Sequence, residues 1–133
     1  MIPFVGFPSG KTRLTPVPDL FFTKLLVEIR DPDELKLLCL MFYYLNRQEG
    51  YPRYMTLEEL QSEGIVLSAL KHADDDEKEV LVRRLQDAVE HCIARRTLLS
   101  VRISESEGET VYLLANTAQG REALRQVTAG ELV

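Results

Sequence analysis

The run ELKLLCLMFYYLNRQ, residues 34–48, constrains this chain more than any other stretch. It follows Asp31-Pro32-Asp33, a helix-start pattern. Asp31 can accept from the N–H groups of the next turn, Pro32 suits the first helical position, and Glu34 can reach back to the cap. Within the run Leu35, Leu37, Leu38, Cys39, Leu40, Met41, Phe42, Tyr43, Tyr44 and Leu45 surround nearly the whole cylinder. A helix apolar on all sides must be covered on all sides, at the centre of a domain or partly against another subunit. Gly50 is the expected stop. With 133 residues the chain can build one such centre, burying roughly two-thirds of its unfolded surface.

The other elements arrange themselves around this helix. Before it, DLFFTKLLVEI places Phe21, Phe22, Leu25, Leu26 and Ile29 at helical spacing, predicting an amphipathic helix of about ten residues. After it, Tyr51 to Met55 is short and carries Pro52, so it can form only a brief edge strand. Thr56-Leu57-Glu58-Glu59 reads as a capping box opening a small helix that ends near Gly64, followed by a less regular stretch. DDDEKEVLVRRLQDAVEHCIARR then aligns Leu81, Leu85, Ala88, Val89, Cys92 and Ile93 on one stripe of a long helix. LLSVRIS and TVYLLAN alternate apolar and polar residues around ESEGE, the pattern of a β-hairpin. Thr117 caps a last helix, AQGREALRQV, in which Gly120 costs about 1 kcal/mol relative to alanine.

The expected fold is therefore mainly α with a small β-hairpin: a winged helix-turn-helix with an N-terminal arm and flanking helices. Residues 1–17 form the arm, 18–116 the domain with its preceding helix, and 117–133 the C-terminal helix. Both cysteines, Cys39 and Cys92, fall in apolar helical patterns and are expected in the core.

The stretches TPVPDLFFTKLLVEI, ELKLLCLMFYYL, GYPRYMTLEEL, RRTLLSV after the long helix, and VYLLANTAQGREAL together resemble bacterial DnaD-type replication initiation proteins, specifically their N-terminal winged-helix domain. The resemblance spans nearly all of the chain. It implies an oligomerisation scaffold within the primosome, the machinery that prepares DNA for helicase loading. Implied partners are the chain itself and other primosome proteins. In that family a separate C-terminal domain supplies much of the DNA contact, and no counterpart is visible after Val133. Where relatives commonly place a glycine after the long helix, this chain has Arg96-Thr97.

Charge bears on the DNA question. A winged helix usually reads DNA with a helix in the major groove and a wing tip near a neighbouring phosphate. Here Asp74, Asp75, Asp76 and Glu77 precede the long helix, and Glu105, Glu107 and Glu109 sit at the hairpin tip. Between residues 57 and 79 eight acidic side chains face two basic ones, and the whole chain carries a net charge of −5. Phosphates would repel that edge. Carboxylates also favour a helix N-terminus through its dipole, which gives the acidic run a structural reading. Candidate phosphate contacts are Arg83, Arg84, Arg95, Arg96 and Arg102, with Lys11 and Arg13 of the arm. On the long helix Arg84, His91 and Arg95 share a stripe, which reads first as a solvated face with weak ion pairs and second as a phosphate-contacting patch. Any binding through such a patch would be nonspecific and salt-sensitive. A dimeric winged-helix regulator recognising a specific operator is the alternative.

The arm contains GFPSGKT, which superficially resembles a nucleotide-binding loop. That loop needs a glycine five positions before Gly10-Lys11-Thr12, with four residues between, but Val5 stands there, Gly6 is one residue too close, and Pro8 removes an N–H donor. No nucleotide is expected. The segment carries instead Ile2, Phe4, Val5 and Phe7, which need a surface to lie on. That surface is either the chain's own domain or a second subunit, joined through Phe4, Phe7, Phe21, Phe22, Phe42, Tyr43 and Tyr44. No CxxC or HxxxH pair joins Cys39, His72, His91 and Cys92 into a metal site, and no GxSxG or placed Cys/His pair marks an enzyme. The expectation is no catalytic residue, no metal and no cofactor. Without a signal peptide or an 18-residue apolar run, a cytoplasmic location is expected.

Overall fold

The computed structural model describes residues 1–130. About half of these are helical, and a small antiparallel sheet accompanies the helices. The final residues of the predicted C-terminal segment, 131–133, lie outside the described residues.

Residues 1–14 run irregularly along the outside of the molecule, every one exposed. The chain becomes helical at residue 19. Its first turn, Phe21–Leu25, is π-helical, with the N–H of Leu26 donating to the carbonyl of Phe21 five residues back, and it continues into α1, Leu26–Glu28. An i→i+5 turn accommodates one residue more than an α-turn. Phe21 and Ile29 both reach the core, and Leu25 between them is partly buried. Phe22 and Leu26, expected on the same inward stripe, point outward. The helix thus keeps apolar side chains on its solvent face.

Helix α2, Pro32–Arg47, starts as predicted: Asp31 accepts from the N–H of Asp33 at 3.1 Å, and Pro32 occupies the first position. Glu34 does not reach back to the cap; it turns into the protein and is only 2% exposed. The helix ends at Arg47, three residues before Gly50. There the Gln48 side chain brackets Tyr54, donating to its carbonyl at 2.6 Å and accepting from its N–H at 3.1 Å, which turns the chain toward the sheet. Leu37, Leu38, Met41 and Leu45 are buried, whereas Leu35, Leu40, Phe42, Tyr43 and Tyr44 are half-buried. Cys39 is exposed, so it is not a core residue. The helix packs mainly on α5, with further contacts to α4 and β1, and Cys39 lies on its exposed side.

Strand β1, Met55–Thr56, is followed by α3, Leu57–Ser62, whose capping box between Thr56 and Glu59 forms as the sequence indicates. The stretch expected to be irregular is helical: α4 spans Gly64–Ala69. Helix α5, Lys78–Arg95, leads into β2, Leu98–Glu105, and β3, Gly108–Ala115. The hairpin is tighter than predicted, pairing Glu105 with Gly108 across a two-residue turn. Strand β1 pairs Met55 with Leu113 and makes the sheet three-stranded in the order β1-β3-β2. Helix α6, Ala118–Thr128, begins at Thr117, whose hydroxyl accepts from the N–H of Gly120 at 3.0 Å.

The sheet lies between two helical layers. Leu98, Leu113 and Ala115 join the main core with Leu37, Met41, Leu60, Leu85 and Cys92. Adjacent strand residues face opposite ways. Leu114 accordingly turns to the other face, where α6 packs on both long strands and buries Ala123 and Val127.

Candidate interaction surface

Large apolar side chains stay exposed along the first 27 residues. Phe4 is 71% exposed, Phe7 85%, Phe22 53% and Val27 68%, and Ile2, Val5, Leu14, Leu20 and Leu26 accompany them. Residues 1–14 thus do not pack back on the chain's own domain, whereas the arm's root does: Val17 is partly buried against the core, and the Asn46 side chain donates to the carbonyl of Pro16 at 3.4 Å. Phe4 and Phe7 contact only each other as rings, edge to face at 5.0 Å. Of the other aromatic residues expected at an interface, Phe21 belongs to the chain's own core at 5% exposure, edge-on to Phe22 and Phe42. Tyr43 lies beneath Arg47, whose guanidinium carbon is 5.1 Å from the ring centre. Tyr44 donates its hydroxyl to Glu63 at 3.3 Å. Desolvation, reinforced by the Glu63 carboxylate, pushes that phenol up to about 12, so it remains a neutral donor at physiological pH.

The predicted basic stripe of α5 is directed at the chain's own acids. Arg84 donates to Asp76 at 2.7 Å and to the carbonyl of Leu70 at 3.1 Å. Arg95 bonds the buried Glu34 through two nitrogens, at 2.6 and 3.3 Å. His91 Nδ1 lies 3.1 Å from Asp31, and from the loop before α5 His72 Nε2 lies 3.1 Å from Asp33. The acidic first turn of α2 is thus a clasp that holds α5 and its approach against the domain. In the hairpin Arg102 bonds Glu109 at 2.9 Å. Among the described residues, Lys11, Arg13, Arg83 and Arg96 are exposed, and their side chains make no ion pair. These four are not brought together into one patch by any contact of their side chains.

Arg96 has a structural role through its backbone. It ends α5 with φ +65°, the left-handed conformation that glycine adopts most readily, and its carbonyl accepts from the Asn116 side chain at 2.8 Å. The turn into the hairpin therefore forms without the glycine.

The acidic run before α5 works differently from a helix cap. Glu77, at the cap position, makes no side-chain bond to the first turn. Asp76 instead accepts from the N–H groups of His72 and Ala73, at 2.8 and 3.0 Å, closing the loop on itself. Its bond to Arg84, with those two N–H groups, holds its carboxyl well below the usual range. Asp74, Asp75, Glu105 and Glu107 remain exposed to solvent.

A cleft of about 350 Å³ opens where the arm joins the domain, walled by Pro16, Val17, Pro18, Phe42, Leu45 and Tyr51 and by the first turn of α6. Arg53 lies over the Tyr51 ring at 4.5 Å at its rim. Sequence reasoning missed this cleft because its walls come from four separate segments, none of which carries a motif. The clasp was equally hidden, since Asp31, Asp33 and Glu34 read as ordinary helix-start acids. Among the described residues no three His, Cys, Asp or Glu side chains converge to hold a metal ion, and no helix is long and apolar enough to cross a membrane. Comparisons with protein-family models, curated proteins and solved structures found no match.

Proposed function

We propose that this chain is a self-associating scaffold of the DnaD type, a winged helix-turn-helix domain that assembles with itself and with other replication-initiation proteins and touches DNA weakly and without sequence preference. The observation that carries this reading is the exposed apolar surface of the arm and the first helix, residues 1–27. Exposed large apolar side chains gathered in one segment are the kind of surface that marks an interaction site. The winged-helix assignment draws support from the element order α2-β1-α3-α4-α5-β2-β3 and from β1 pairing with β3. Weak DNA contact is consistent with Arg84, Arg95 and Arg102 being bonded to carboxylates of the same chain. The reading assigns no catalysis to the chain, and a cytoplasmic location fits the proposed role.

Light scattering coupled to size exclusion tests the scaffold reading. A dimer or larger species at micromolar concentration is expected, and a monomer throughout would refute it. A gel-shift titration against salt separates it from the operator-binding alternative. Retardation only at low salt, for any duplex, is expected. Nanomolar, sequence-selective binding near physiological salt would favour the regulator instead.

A further inference from the structure

The arm and the cleft match each other chemically. The arm offers Pro3, Phe4, Phe7 and Pro8, with the two rings already in contact. The cleft offers Phe42, Leu45, the Tyr51 ring and the prolines of the arm's own root. Its volume, about 350 Å³, lies at the lower end of the 300–1,000 Å³ typical of binding pockets. That is of the order of two aromatic side chains rather than a bulky cofactor. Prolines lack an N–H, so such a segment enters an apolar groove with few donors left unsatisfied, as in recognition of extended proline-rich peptides. Strand addition is a poorer fit, because the edge strand β1 has only two residues.

We infer that the segment Ile2 to Pro8 of one chain occupies the Phe42–Tyr51 cleft of a second copy, and that the exchange is reciprocal. This inference rests on the self-association reading and names the contact that carries it. The arm stays off its own cleft in the structure, with residues 1–14 all exposed. Its root lines that cleft at Pro16, Val17 and Pro18. Two copies meeting cleft to cleft therefore bring each arm beside the other's groove. Phe7 stands nine residues before Pro16, a reach of about 30 Å when extended. Such an exchange closes as a two-fold dimer and leaves no arm unpaired. The cleft alone falls short of the roughly 800 Å² per partner that stable dimers bury. The first helix lies close to it: Phe42 on the cleft wall meets the buried Phe21 ring edge-on at 6.2 Å, and Phe21 in turn meets the exposed Phe22 at 5.1 Å.

The test uses the full chain with the exposed Cys39 replaced, Cys39→Ser, so that it adds no cross-link. Two versions are made, one with Val5→Cys and one with Gln119→Cys at the cleft margin; both positions are exposed, so folding is unaffected. Mixed and mildly oxidised, they should give a disulfide-linked heterodimer in large excess over either version alone. Phe4→Ser with Phe7→Ser should weaken dimerisation at least tenfold. A dimer that resists the double serine substitution and yields no cross-linked product overturns the arm-in-cleft contact while sparing self-association. An exclusively intrachain disulfide in the Val5→Cys, Gln119→Cys double variant, at every concentration, also overturns it. A wild-type monomer removes both readings.

Discussion

Gly120 and Asp76 show how far a residue's meaning depends on its neighbours. Composition alone makes Gly120 a weak point of α6, and replacing it by alanine should then stabilise the helix by about 1 kcal/mol. The structure reverses that sign. A Cβ on Gly120 would be driven into the carbonyl of Ala115, a backbone atom at the end of β3 that cannot yield. Gly120→Ala is expected to destabilise by about 2–3 kcal/mol, read as a fall in Tm of several degrees or more. Asp76 yields a pH prediction. Its folded pKa is depressed, so its contribution is fully present above the unfolded carboxyl value near 3.8 and is lost as pH falls through the lower folded value. Asp76→Asn should lower Tm at neutral pH, and the gap between variant and parent should narrow below about pH 4. A gap that is constant down to pH 2 would contradict the role assigned to the loop closure.

Among the elements, the caps and long helices were legible in the sequence, while the partners of their side chains were not. Asp31, Thr56 and Thr117 each begin a helix where local chemistry places it, because a cap is a bond between residues two or three apart. The outward placement of Phe22, Leu26 and Cys39 could not be read, since it depends on which elements cover α1 and α2. Likewise the Arg95–Glu34 pair joins residues 61 apart, and nothing local distinguishes Arg95 from a phosphate contact. The end of α5 supplies a prediction of its own. Arg96 holds a left-handed conformation that costs a non-glycine residue about 1 kcal/mol, and its side chain bonds nothing among the described residues. Arg96→Gly should raise stability by up to about 1 kcal/mol, offset in part by the greater freedom of the unfolded chain, measurable by urea denaturation. If Arg96 also meets phosphate, low-salt DNA retardation will weaken in the same variant.

For the molecule as a whole, the arm and the domain have separate energetics. Residues 1–14 contribute no side chain to the core, so their removal should leave the unfolding midpoint of a dilute, monomeric sample within about 1 °C of the intact chain. At micromolar concentration the same deletion should abolish the dimer and with it any concentration dependence of the midpoint. A large loss of stability in the dilute sample would mean that the arm belongs to the domain. The π-helical turn at Phe21–Leu25 has a related consequence. Phe21 and Ile29 are eight positions apart, yet they meet the core as though separated by two ordinary turns, seven residues, because the wide turn absorbs the surplus one. Interior and exterior are thus indexed independently here. A chain shortened by Thr23 is expected to keep both anchors in place while rearranging only the outward side chains, retuning what the surface offers and leaving the fold alone.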